Sequence, residues 1–319
     1  LLETLDTITR QHTGRFQQSI LLLREHVAAG GGLAEAMANQ PVLFDNVCVN
    51  IVEVGENAGT LDTALERLVE FRRRWAGLKN RVSSALIYPC IVLAMGLVLS
   101  LFMMTYVMPK LFAVLEQSGN KLPTVTVIVR AISYFIIDWW WALLMGIGGA
   151  AALLGAILRT ERGATTWHRI QLKVPILGEL VRKQSIARMA MVMSTLLNSG
   201  VVFIRAVQIA QRTVGNRVLR DALVSCEQAV YGGRDIGAGL EKTDAFPPLV
   251  VQVFAVGQAS GRLESMLEDL AADYDTQVDI TAGRLTALLE PLLMILLAVS
   301  VGFIAFATIL PILEAGDVM

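Results

Sequence analysis

Residues 85–108 read ALIYPCIVLAMGLVLSLFMMTYVM, 24 residues without one charged side chain. As a helix this run is about 36 Å long, enough to cross a hydrocarbon core of about 30 Å with some tilt. A second uncharged run, Trp139 to Leu158, has 20 residues, and a third, Pro291 to Leu313, has 23. One such run can be the core helix of a soluble protein, but three of this length in 319 residues read as membrane spans. Backbone groups in lipid must find partners within their own segment, so the runs are expected to be helices. Composition agrees: 54% of residues are hydrophobic and 17% charged, where a soluble domain carries about 25% charge. Mean hydropathy is +0.56.

Basic residues set the orientation of a multi-span chain. Arg72, Arg73, Arg74, Lys79 and Arg81 precede the first span; Arg159, Arg162, Arg169, Lys173, Arg182 and Lys183 follow the second. The segment between these spans has only Lys110, Lys121 and Arg130, and the tail after the third span has no Lys or Arg. The expected layout is therefore a cytoplasmic segment 1–84, a span 85–108, an outer loop 109–138, a span 139–158, a cytoplasmic segment 159–286, a span 287–313 and an outer tail 314–319. Only Arg284 marks the inner end of the third span. Trp139, Trp140 and Trp141 stand at one end of the second span, where amphipathic rings favour the headgroup layer, although buried packing is the alternative.

The chain repeats itself. With a shift of 202 residues, Gly30-Gly31 meets Gly232-Gly233, Phe44 meets Phe246, Pro89 meets Pro291 and Pro109 meets Pro311. Between residues 44 and 89, twelve of 46 positions are identical, where unrelated chains give roughly three. The matched glycines and prolines are not generic helix residues. Each copy has a helical part followed by one span. A chain that leaves after the first copy must return before the second, and the span without a counterpart, 139–158, is that return. The duplication is thus parallel, unlike the inverted repeats common in transporters. Leu1 to Ile8 aligns with Phe203 to Ala210, so the first copy lacks a counterpart of Leu180 to Val202, and a further helix is expected ahead of Leu1.

Outside the spans the patterns are helical, with no convincing strand. Leu61, Leu65, Leu68, Trp75 and Leu78 form an apolar stripe at helical spacing. Gly30-Gly31-Gly32 and Pro41 punctuate the earlier segments. Gly55-Glu56-Asn57-Ala58-Gly59-Thr60-Leu61 joins two helices, with glycines suited to positive φ and Thr60 at a plausible N-cap. The second copy keeps the glycines in Gly257-Gln258-Ala259-Ser260-Gly261-Arg262-Leu263 but replaces Glu56 by Gln258. The motif reads as a tight helical turn, or as a partner or ion contact through Glu56. Pro89 and Pro291 stand in the first turns of the first and third spans, where a missing N–H costs least, and Pro109 and Pro311 end the same spans. Tyr88 and Glu290 precede the entry prolines as interfacial anchors; Glu290 could instead pair with a basic group of a neighbouring subunit.

Catalytic readings find little support. Gly237-Ala238-Gly239-Leu240-Glu241-Lys242-Thr243 resembles a phosphate loop superficially, but it lacks the glycine before Lys242 and places Glu241 against phosphate. His12, His26 and His168 are isolated, without metal-ligand spacing. Cys48, Cys90 and Cys226 are odd in number and widely spaced, and read as small buried apolar residues. No paired aspartates stand within the spans. The net charge of −1 gives no global pull towards nucleic acid, and no cofactor is expected. A small oligomeric transporter or channel is the alternative function, but ionisable groups are absent from the middle of the spans. Gly96, Gly146, Gly148, Gly149 and Gly155 suit close helix packing instead.

Several stretches together resemble the type II secretion F-type platform family, shared with the inner-membrane platform proteins of type IV pili. They are Arg81-Val82-Ser83-Ser84-Ala85-Leu86-Ile87-Tyr88-Pro89 through Met108-Pro109, the two glycine turns, and Pro175-Ile176-Leu177-Gly178-Glu179-Leu180-Val181-Arg182-Lys183. The helix with Ala187-Arg188 and Leu196-Leu197-Asn198-Ser199-Gly200-Val201 belong with them. The resemblance covers essentially the whole chain. Departures are the missing first helix, Gln258 in place of Glu, and Asp45-Asn46 where the second copy has Pro247-Pro248. The family implies an all-α membrane protein with two tandem cytoplasmic helical bundles and three transmembrane helices. It also implies a non-enzymatic scaffold in the bacterial inner membrane that engages a cytoplasmic assembly ATPase and loads pilin or pseudopilin subunits beside other assembly components. Homo-oligomerisation is expected, and Arg72 and Arg73 are candidate contacts for the ATPase.

Overall fold

The computed structural model describes residues 1–110, 112, 124–233, 235–241, 243 and 245–316. Among these the chain is helical and without strands. The first copy supplies α1 (Leu2–Gln11), α2 (Arg15–Ala28), α3 (Leu33–Ala38), α4 (Asn46–Asn57) and α5 (Leu61–Phe102). A π-helical segment, Met103–Val107, continues α5. Then come α6 (Thr124–Arg159) and α7 (Glu161–Lys173). The second copy supplies α8 (Leu177–Asn198), α9 (Phe203–Thr213), α10 (Arg217–Tyr231), α11 (Ile236–Glu241), α12 (Pro248–Ser260) and α13 (Leu263–Gly316). Helices α1 to α5 thus have counterparts in α9 to α13.

The chain divides into two compact units, Leu1–Asn80 with His168–Thr281, and Arg81–Trp167 with Ala282–Met319. The segments expected as two bundles therefore gather into one unit. The reason lies in α8. Ile186, Ala187, Met189, Ala190, Val192, Met193 and Leu196 are all fully buried. A helix apolar over most of its circumference needs cover over most of it, and only the side with Arg188 and Thr195 is polar. Val47, Ile51 and Phe71 from the first copy share one core with it, as do Leu219, Leu223, Phe254 and Leu267 from the second. Each such large side chain contributes about 1.5–3 kcal/mol by burial. A smaller core, Leu23, Leu33, Met37, Cys48 and Val52, belongs to the first copy alone.

The matched helices start by different means. Asp45 caps α4, its side chain accepting from Cys48 N–H at 3.0 Å. In α12 the same place holds prolines, with Pro248 in the first turn, where no N–H is missed. The departure Asp45-Asn46 against Pro247-Pro248 is thus two solutions to one problem.

The second unit holds the apolar helices. Residues Ile87–Lys110 form one helical stretch long and apolar enough to cross a membrane, and Leu263–Ile309 contains another. A third is possible by length if the bent pair Thr126–Ala142 and Leu144–Arg159 counts as one span; the bend is 52°. Residues 124–138, expected within a loop, are helical. Arg130 and Asp138 break the hydropathy of that stretch, but Thr126 and Ser133 are fully buried there. Thr126 donates to the Ala307 carbonyl at 3.1 Å, and Ser133 to that of Met104. Lys121 and the rest of 113–123 lie outside the described residues. Trp139, Trp140 and Trp141 are exposed as expected of interfacial rings, but they sit at the bend, where Trp139 leaves helical geometry (φ −115°, ψ 20°), rather than at a helix end.

Pro89 and Pro109 stand near the two ends of the apolar stretch Ile87–Lys110, where the sequence reading has them, but no helix boundary accompanies the prolines. Pro89 stands inside the continuous α5, and Pro291 and Pro311 inside α13, so none begins or ends a helix. Pro109 likewise lies within helical residues 108–110. In an apolar surrounding a broken helix would orphan several backbone groups, whereas a proline within a continuous one orphans a single carbonyl. Ahead of Pro109 the strain is taken up by the π segment, where Met108 N–H reaches back to the Met103 carbonyl. The matching residues 305–309 are α-helical.

Of the five glycines expected to allow close span packing, Gly96 does so: Leu297 of α13 fills the space a Cβ would need. Ser100 and Ser300 pair their hydroxyls at 3.1 Å beside it. A Cβ on Gly146, Gly148, Gly149 or Gly155 would meet nothing within 4 Å among the described residues.

Candidate functional site

The two glycine turns have the same backbone geometry. Gly59 (φ +71°) and Gly261 (φ +65°) are left-handed, a conformation that disfavours any Cβ. Thr60 N–H donates to the Gly55 carbonyl at 2.8 Å and Gly59 N–H to that of Glu56 at 3.2 Å. In the second copy Arg262 N–H donates to Gly257 at 3.1 Å and Gly261 N–H to Gln258 at 3.4 Å. This paired closure satisfies the last carbonyls of α4 and α12. Gly55 is needed because a Cβ there would overlap that of Ala64. At Gly257 it would come 2.7 Å from Leu263 Cδ1. Leu61 packs on the first copy's core, and Leu263 is buried in the shared one.

Glu56 points inward from its turn. Its Oε1 accepts from Leu33 N–H at 2.7 Å and its Oε2 from Ala34 N–H at 3.1 Å. These are orphan donors at the start of α3, where a negative charge is also favoured. Gln258 does the same work with one oxygen, accepting from Ile236 N–H of α11 at 3.1 Å. The substitution keeps the acceptor and drops the charge. Both turns thus tie a short helix to the following long pair, and Glu56 has an internal employment that the sequence alone left open.

The entry positions are uneven. Tyr88 and Glu290 are exposed, as is Pro291, whereas Pro89 is buried. Pro109 is half-buried, and the side chain of Pro311 lies outside the described residues. Cys48 and Cys226 are buried, but Cys90, expected to be so, is exposed. Burial pushes the thiols of Cys48 and Cys226 up to about 12, with Asp45 adding to the effect at the first and Glu227 at the second.

The basic run separates into three roles. Arg72 holds its own chain: Nη2 donates to the Leu43 carbonyl at 2.8 Å and Nη1 lies 3.5 Å from Asp45. Arg73 is exposed. Arg74, not singled out from the sequence, donates to Glu70 at 2.6 Å and to Glu268 of the second copy at 3.2 Å. Partial burial works against its charge, but the bonds to the two glutamates outweigh it and raise its pKa. Beside it Arg67 donates to the Asn198 carbonyl. These groups line a polar cleft of about 260 Å³ between the copies, with Ser194 and Thr195 on its α8 side. Arg188 of α8 lies 5.4 Å from the centre of the Trp75 ring, and burial lowers its pKa. Only the basic character of residues 72–74 signalled this junction; the repeat aligns Glu268 with Glu66, not with Arg74.

The phosphate-loop lookalike is a helix, α11, over Ile236–Glu241; Lys242 lies outside the described residues. Its glycines serve packing, since a Cβ on Gly239 would lie 2.8 Å from Ala229 Cβ and one on Gly237 3.0 Å from that of Ala255. Among the described residues, no three His, Cys, Asp or Glu side chains converge as a metal site. His168 Nδ1 accepts from Arg217 N–H at 3.1 Å; burial, then the charges of Arg217 and Arg220, lower its pKa.

The sequence matches the family described as type II secretion system (T2SS), protein F, over residues 1–109 and again over 189–311. The two matched segments end 202 residues apart, the shift of the internal repeat. The chain is 32% identical over 298 residues to the type IV pilus assembly protein PilC of Pseudomonas aeruginosa, covering 93% of this chain and 80% of that protein. It is 31% identical over 319 residues to the type II secretion system protein F of the same organism, covering 99% and 78%. With the type IV pilus assembly protein TapC of Aeromonas hydrophila it shares 30% identity over 324 residues, covering 100% and 78%.

Proposed function

This chain belongs to the family of the type II secretion system protein F, and we propose that it is the inner-membrane platform of a type II secretion or type IV pilus assembly machine. Its helical copies then face the cytoplasm and engage an assembly ATPase. Its apolar helices lie beside pilin or pseudopilin subunits and other membrane components. It works as an oligomeric scaffold without chemistry of its own.

The observation that carries this reading is the way the copies are joined. Helix α8 shares one core with both copies, and Arg74 bridges them. The last helix of each copy, α5 or α13, runs on into an apolar stretch. Such a body suits the transmission of force or position better than the turnover of a substrate. Arg73, exposed beside the internally held Arg72 and Arg74, is the member of the basic run best placed to meet a partner.

The test is co-purification from native membranes with the ATPase, with and without nucleotide, for the unaltered chain and for Arg73→Glu. Nucleotide-dependent recovery that falls with Arg73→Glu supports the proposal. Recovery unchanged by the variant removes Arg73 from the interface, and absence of the ATPase from every preparation removes the coupling role.

A further inference from the structure

Helix α7 begins two residues after Arg159, the last residue of α6, with only Thr160 between them. Its residues divide into three faces. Ala164 is buried, and His168 is held by hydrogen bonds: its carbonyl accepts from Asn216 Nδ2 at 3.2 Å and its ring from Arg217 N–H at 3.1 Å. These two lie about 40° apart on a helical wheel and mark the side held by the protein. Trp167 (44% exposed), Ile170 (51%) and Val174 (42%) form a second face. They fall within about 60° of arc, adjoining the first face. Val174 follows the last residue of the helix, yet its N–H still bonds to the Ile170 carbonyl at 3.2 Å. Arg169 and Lys173, both exposed, form the third face. No Asp or Glu occurs between Glu161 and Glu179.

An exposed apolar stripe flanked by cations without acids is complementary to a surface that is apolar beneath and negative above. Tryptophan is the side chain that most favours that boundary. The stripe also follows directly on a helix that exposes apolar side chains near its end, among them Leu153, Leu154 and Ile157. We propose that Trp167, Ile170 and Val174 lie in the headgroup–acyl boundary of an anionic bilayer, with Arg159, Arg169 and Lys173 on the lipid phosphates. Helix α7 is then an interfacial anchor at the cytoplasmic end of the second span. This rests on the membrane-spanning reading of the chain, which the experiment checks separately.

The full chain with Cys90→Ala is reconstituted in nanodiscs rich in phosphatidylglycerol, with Ile170→Cys carrying a bimane label. Leu154→Cys, on the apolar helix, is the membrane reference and Val202→Cys, 72% exposed in the native chain, the aqueous one. The expected result is quenching of the Ile170 label by nitroxide lipids labelled near the headgroup, with protection from aqueous iodide. Arg169→Gln and Lys173→Gln each lower the ratio of docked to lifted helix by about fivefold, as removal of one cation from an anionic surface does. Arg169→Lys restores it. Val174→Cys, about one turn on, gives an independent reading if Ile170→Cys does not fold. An Ile170 label that behaves like Val202 while Leu154 is quenched overturns the proposal and leaves a protein or water as the cover of the stripe. A Leu154 label that is not quenched overturns the membrane reading and this inference with it.

Discussion

Glu56 Oε1 lies 2.7 Å from the backbone nitrogen of Leu33, and through this bond the turn after α4 holds the start of α3. In the second copy a glutamine does so without charge. The contact explains why the turn tolerates Glu or Gln, both of which bring an acceptor on the same stem. Glu56→Ala leaves two part-buried N–H groups to water or to nothing, and is expected to cost about 1–3 kcal/mol. Glu56→Gln is expected to cost less than half of that. Thermal unfolding of the full chain in detergent measures both. Equal losses for the two variants would show that charge, not acceptance, is what α3 needs.

Gly59 and Gly261 sit at φ +71° and +65°. Alanine at either forces a Cβ into the left-handed region, at about 1–2 kcal/mol each. The two costs should add when combined, because the turns belong to different copies and share no partner. A double variant no less stable than either single one would mean that the turns relax by another route.

Arg74 and Glu268 join the copies, but both are more than two-fifths exposed. Solvent screening limits such a pair to about 1 kcal/mol or less. A double-mutant cycle with Arg74→Ala and Glu268→Ala should return that small coupling and lose most of it in high salt. Met193→Ala in α8 is expected to cost about 2–5 kcal/mol instead, since that side chain is fully buried in the shared core. If the ion pair proves to contribute more than the buried methionine, the copies are held by charge rather than by α8.

The buried thiols predict a pH response. Cys48 and Cys226 titrate near 12 in the fold, against an ordinary value of 9.0. The folded state therefore binds the proton more tightly than the unfolded chain does. Their contribution is fully present below pH 9.0 and is lost as pH rises towards 12. At pH 8 in detergent, an alkylating reagent should leave Cys48 and Cys226 unmodified until the chain unfolds. Rapid modification of Cys48 in the folded chain would contradict its burial.

Much of this was legible in the residues. The spans announce themselves by hydropathy, and the glycine turns by repetition at positions where only glycine fits. The helix over 124–138 is hard to read from sequence because Arg130 and Asp138 interrupt the hydropathy on which the span reading rests, while the hydroxyls of Thr126 and Ser133 bond to carbonyls that no sequence pattern names. The prolines mark the ends of the first apolar stretch without ending a helix, since α5 runs through Pro89 and α13 through Pro291 and Pro311. The union of the copies was hidden as well. It depends on α8, whose largely apolar middle shows that the helix is buried without showing by what. It depends also on Arg74 meeting Glu268, residues the repeat does not align.

The central claim is that both copies form one body on the cytoplasmic side of the membrane. Labelling with a membrane-impermeant maleimide tests it, with Arg73→Cys for the first copy and Val202→Cys for the second, each in the Cys90→Ala background. Both positions are exposed. Reaction of both in inside-out vesicles, and of neither in intact right-side-out vesicles, is the expected result. Reaction of one from each side would place the copies across the bilayer from each other and contradict the account.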